Sequence, residues 1–163
     1  MKKVLFILMM LVTLPLTTQA QKAEHLSFLG IPINGTLKGF ITQLERKGFK
    51  QTIANDGTLF HEGKYLGENV LVQVVTKKNV VGMINVLSQD GYDQENVVLR
   101  MTEFEKELSK LYGTKFRTAQ QKDQADIYKN GKLIGFIGVG GIYMESGFYC
   151  PLITFMDKSN FGK

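Results

Sequence analysis

The sequence predicts an α+β fold of two tandem units, each a helix followed by a four-stranded antiparallel sheet. Three observations carry the prediction. Apolar residues recur at helical spacing in two stretches whose starts, Thr36 and Asn96, lie sixty residues apart. Each stretch is followed by short runs rich in β-branched residues. Turn sequences that tolerate a positive φ, such as Asn55-Asp56-Gly57 and Asn130-Gly131, separate those runs as hairpins.

The first unit spans residues 21–89. "HLSFLGIPI" reads as an extended lead-in, and Leu37, Phe40, Ile41 and Leu44 then fall on one helical face. Thr36 is placed to cap that helix, and Gly48 followed by Phe49 is a left-handed stop with an apolar residue folding back. Asn34-Gly35-Thr36 also matches a glycosylation acceptor, but capping accounts for Thr36 in a chain with a bacterial-looking signal. "KQTIA" and "TLFHE" flank the first hairpin turn, and "NVLVQVV" and "VVGMINVLS" flank "TKKN".

The second unit, residues 90–163, repeats the order. Asp93 is a plausible N-cap for a long helix with Val97, Met101, Phe104, Leu108 and Leu111 as its apolar stripe and Gly113 as its stop. Glu103, Glu105 and Glu107 are expected on its solvent side. Then follow "TKFRTAQ", "ADIYK", "KLIGFIGV" and "GIYMESGFYCPLITFMD", with Gly140-Gly141 expected at a turn or kink. One such unit alone would be marginal, so the two are expected to pack as one body.

"MKKVLFILMMLVTLPLTTQA" has a basic start, an apolar run broken by Thr13 and Pro15, and small residues before Gln21. That pattern makes residues 1–20 a secretory signal peptide, too short in its apolar run for the roughly 18 residues of a membrane span. The mature chain is expected to be periplasmic or secreted, with no membrane anchor after cleavage. Without Lys2 and Lys3, 18 basic residues face 15 acidic ones, an excess of +3, and the basic residues are scattered without interleaved aromatics. No nucleic acid partner is implied.

The glycines at 131, 135, 138, 140, 141 and 147 suggest a phosphate loop, yet from Gly138 the run "GVGGIY" puts Tyr143 where a dinucleotide loop needs glycine. Asp126 and Thr58 occupy the positions where the other phosphate motif needs one. Glycines among strand residues instead permit bulges or close backbone approach. "SQDGYDQEN" lacks the alternating ligands of a calcium loop, and "HEGKY" lacks a second histidine, so neither metal nor cofactor is expected. Cys150, the lone cysteine, forms no internal disulfide; the alternative to a non-enzymatic reading is a small secreted hydrolase or thiol enzyme pairing it with His25 or His61.

"FLGIPINGTLKGFITQLERKGF", "FHEGKYLGENVLVQVV", "ELSKLYG" and "PLITFMDKSN" together resemble small exported bacterial proteins of the β-lactamase-inhibitor-protein-like (BLIP-like) fold, over residues 26–158. The resemblance implies a binding surface rather than an active site, and carries over no inhibitory loop residue. A non-enzymatic module binding another protein or an envelope component is therefore expected. Phe60, Tyr65, Tyr143, Phe148 and Tyr149 are its candidate contact residues, since interfaces favour Tyr and Phe.

Overall fold

The computed structural model describes residues 24–119 and 122–161; the expected signal peptide, residues 1–20, lies outside them. Helix α1 (Leu37–Arg46) starts where Thr36 Oγ1 accepts a hydrogen bond from the Gly39 amide at 3.2 Å. It ends at Gly48, whose φ of 94° lets the Phe49 amide fold back toward the Leu44 carbonyl. Helix α2 (Gln94–Tyr112) starts at Asp93, whose Oδ1 accepts from the Asn96 amide at 2.8 Å, and ends at Gly113 in the left-handed region. A short α3 (Lys158–Phe161) follows the last strand.

The lead-in is more than extended chain. Leu29 and Gly30, both at positive φ, turn it into a hairpin of β1 (Ser27–Phe28) and β2 (Ile31–Pro32). Its apolar residues Leu26, Phe28, Ile31 and Ile33 are all buried. The remaining strands are β3 (Lys50–Ile53), β4 (Leu59–Tyr65), β5 (Glu68–Lys77), β6 (Val80–Ser88), β7 (Arg117–Ala119), β8 (Lys122–Lys129), β9 (Lys132–Tyr143) and β10 (Tyr149–Asp157).

These eight strands form one antiparallel sheet in the order β3-β4-β5-β6-β10-β9-β8-β7, not two sheets. β6 and β10 pair from Leu87↔Leu152 to Met83↔Met156. Left apart, the two strands would each present an unpaired row of amides and carbonyls, and joining them removes both edges. The molecule is thus mixed α+β, dominated by an antiparallel sheet.

Register divides the sheet into two faces. His61, Val72, Val86, Ile153 and Val139 stand in one row across β4, β5, β6, β10 and β9, and all are buried. Phe40 and Leu44 of α1, Phe104 and Leu108 of α2 and the β1–β2 hairpin complete the core on that side. On the opposite face, Gln73, Asn85 and Thr154 form a hydrogen-bonded row between an apolar row of Leu71, Leu87 and Leu152 and another of Val75, Met83, Met156 and Phe136. Every one of these is only half-buried.

Three sequence expectations are corrected. Leu111 is exposed, because the turn from Phe104 through Leu108 continues to Tyr112, whose hydroxyl donates to the Ser27 carbonyl at 2.8 Å. Gly140 and Gly141 lie within β9, and the turn comes later, at Met144–Phe148. Of the three glutamates expected on the solvent side of α2 only Glu103 is exposed; Glu105 and Glu107 are half-buried, Glu105 facing Asp123 of β8.

The first and last described segments are stitched together. Buried Asp157 accepts from the Leu26 amide at 2.9 Å and from His25 Nδ1 at 3.2 Å. Asn34 donates to His25 Nε2 at 2.9 Å, and Asn160 donates to the Ile33 and Val81 carbonyls.

Candidate functional site

Of the five aromatic residues singled out above, three come together. The β9–β10 hairpin is closed by the Met144 amide on the Phe148 carbonyl at 2.8 Å, which sets Tyr143 and Tyr149 opposite each other with ring centroids 5.0 Å apart. Tyr149 exchanges two 2.8 Å backbone hydrogen bonds with Tyr92, tying the hairpin to the loop that leads into α2. Phe148 packs over Gly91, where a β-carbon would lie 3.0 Å from its own; a larger residue at 91 would push the ring away.

The other two do not join them. Phe60 alternates with buried His61 and stands half-buried on the uncovered sheet face. Tyr65 is a core residue: its ring lies 5.0 Å from that of Phe28 and 6.2 Å from that of Phe155, and burial drives its phenol well above the ordinary range. The helices and the β1–β2 hairpin cover the part of the sheet that holds Tyr65 and stop short of Tyr143.

Two members of the site escape the sequence reading. Val98 and Leu99 of α2 are exposed at 57% and 63%, alongside Tyr143 at 63% and Phe148 at 51%. Leu99 and Phe148 line one open depression of about 560 Å³, and Val98 and Leu99 a neighbouring one of about 900 Å³. Their signal was present: both fall off the 97-101-104-108 stripe, so an apolar pair there has no core to enter.

Arg100 anchors the site from beneath. Its guanidinium bonds the buried Glu68 carboxylate, the Leu66 carbonyl at 2.8 Å and Glu103 at 2.7 Å, and it stacks 4.2 Å over the Phe104 ring. Burial pushes the Glu68 carboxyl up, but hydrogen bonds from Ser88, Tyr92 and Arg100 outweigh it and hold the group below the usual range. Tyr92, half-buried and bonded to Glu68, is pushed up to about 12. The β4–β5 turn, the loop before α2 and the helix itself are therefore locked to one another, so the exposed apolar residues sit on a prepared surface.

The thiol chemistry finds no geometry. Cys150 is buried, and burial together with Asp90 and Glu68 raises its thiol, the opposite of what a nucleophile needs. His25 is held at Asp157, seven residues further along β10, or about 23 Å at ~3.3 Å per residue. His61 is in the core on β4, three strands away from β10, a separation on the order of 14 Å. No group of three or more His, Cys, Asp or Glu is placed to hold a metal among the described residues. None of the described helices is long and apolar enough to cross a membrane.

Comparison with family models, with curated proteins and with solved structures finds no match to this chain.

Proposed function

We propose that this chain is an exported, non-enzymatic protein-binding module, acting in the periplasm or outside the cell. The observation that carries the reading is the group of Val98, Leu99 and Phe148, three large apolar residues exposed around two adjoining depressions, beside the paired Tyr143 and Tyr149 and on a hydrogen-bonded frame. Isolated exposed apolar residues are ordinary, but a rigidly mounted group of them marks a contact surface. The strand order also supports a tandem, BLIP-like architecture in which two four-stranded meanders, β3 to β6 and β7 to β10, meet at their last strands in a single sheet. Residues 1–20 supply the export signal in this reading, so the N-terminus of the mature protein is Gln21.

The experiment is site-specific photocrosslinking. A photoreactive residue at position 99 or 148 of the mature chain is expected to yield a discrete adduct when the protein is illuminated in its own envelope extract. The same residue at Lys78, on the distant β5–β6 turn, is expected to yield none. Equal labelling from the two places would overturn the reading.

A further inference from the structure

The chemistry of the partner can be read from the charges around the apolar cluster. Asp93, Glu95 and Glu103 line the two depressions, and Asp90 and Glu145, both exposed, stand in the two loops that border them. Between Lys78 and Lys106 the only basic residue is Arg100, and β9 after Lys132, the hairpin turn and β10 contain none. Arg100 already spends its charge on Glu68 and Glu103. Lys64 of β4 alternates with buried Tyr65 and so belongs to the opposite face of the sheet.

The acidity is a matter of place, since the sequence as a whole is basic, with 20 Lys and Arg against 15 Asp and Glu. Helix capping accounts for one carboxylate of the five, Asp93, which receives the Asn96 amide and side-chain amide at 2.8 Å. Glu95, in the first turn, also favours the helix dipole. Glu103 is paired with Arg100, which leaves Asp90 and Glu145 accounted for by neither the dipole nor that ion pair. An apolar centre with a rim of one sign selects a partner of the opposite sign around an apolar anchor.

Resting on the binding reading above, we infer that this end of the molecule docks a cationic amphipathic segment, whose Leu or Phe side chains sit against Leu99 and Phe148 while its Lys or Arg residues face Asp90, Glu95 and Glu145. The surface of α2 from Asp93 to Glu103 is about 15 Å long at 1.5 Å per residue, the length of a partner helix of roughly ten residues.

The test uses the mature full-length chain and two synthetic amphipathic peptides of about eighteen residues, long enough to form a helix. One carries Leu and Lys at helical spacing, the other Leu and Glu. Fluorescence anisotropy is expected to show binding of the Lys peptide, weakened by added salt, and none of the Glu peptide. Leu99→Ser and, separately, Glu145→Lys are expected to weaken binding of the Lys peptide by about tenfold or more. Glu145 lies in an exposed turn, so its variant keeps the fold.

If both peptides bind alike and Leu99→Ser abolishes both, the apolar binding surface stands and the cationic partner is overturned. If the Lys peptide does not bind, or binds the variants and the parent alike, the inference is wrong at this surface, while crosslinking from position 99 judges the binding reading by itself. Concentration-dependent dimerisation lost in Glu145→Lys would instead make a second copy of the chain the occupant, and would overturn the inference too.

Discussion

His61 is a base set where water does not reach it. Both ring nitrogens lack a hydrogen-bond partner, and burial holds the imidazole below its ordinary 6.5 against a smaller opposing pull from Glu45. The unfolded chain takes up this proton below about pH 6.5 and the folded chain resists it, so stability falls as pH drops through that value. His61→Leu should remove this acid-side loss, seen as a smaller difference between melting temperatures at pH 7.5 and pH 5.5. Glu105 acts in the other direction. Burial and the facing Asp123 push its carboxyl up to about 7, so the folded state favours the protonated form and its stability contribution is lost as pH rises from about 4.5 through 7. Glu105→Gln should be more stable than the parent at pH 8 and equal to it at pH 4, as measured by urea denaturation. The glycines that resembled a phosphate loop divide at this scale as well. A β-carbon at Gly135 would meet the Met156 carbonyl oxygen at 2.5 Å, whereas at Gly138 it would meet nothing closer than 3.9 Å. Gly135→Ala should therefore cost about 1–3 kcal/mol, the usual penalty of overpacking, and Gly138→Ala little.

Helix α2 separates two kinds of apolar residue on one element. Phe104 is buried under the Arg100 guanidinium and within the core, so Phe104→Ala should cost about 3–5 kcal/mol. Leu111→Ala, on the exposed side, should cost under about 0.5 kcal/mol. Denaturant titration of the two variants compares them directly, and the Phe104 variant should still unfold in one transition, because β6 and β10 bind both halves into one sheet. Most elements were legible in the sequence: the caps at Thr36 and Asp93, the stops at Gly48 and Gly113 and the turns at Asn55-Asp56-Gly57 and Asn130-Gly131 are set by short-range chemistry, whereas the β1–β2 hairpin and the turn after Tyr143 were not read. The β6–β10 junction was not, since a strand's choice of neighbour is made by backbone groups that every residue shares. The site was half legible. Tyr65 and Tyr143 are the same residue type, and only their distance from the covering helices makes one core and the other surface. Leu111 misled because heptad-like counting reaches it as readily as Tyr112, which the helix turns inward.

At the scale of the whole molecule, the hairpin of β1 and β2 lies under the helices and is fastened to the far end of β10 by His25, Leu26, Asp157 and Asn160. Both strands of that hairpin come from the first ten described residues, and Asp157 and Asn160, which hold them, come from the last five. Closing a loop that long is slow relative to making local helix and hairpin contacts. The time order of folding follows: Leu26, Phe28, Ile31 and Ile33 have no Asp157 or Phe155 to meet until β10 has been synthesised, so this part of the core cannot close before then.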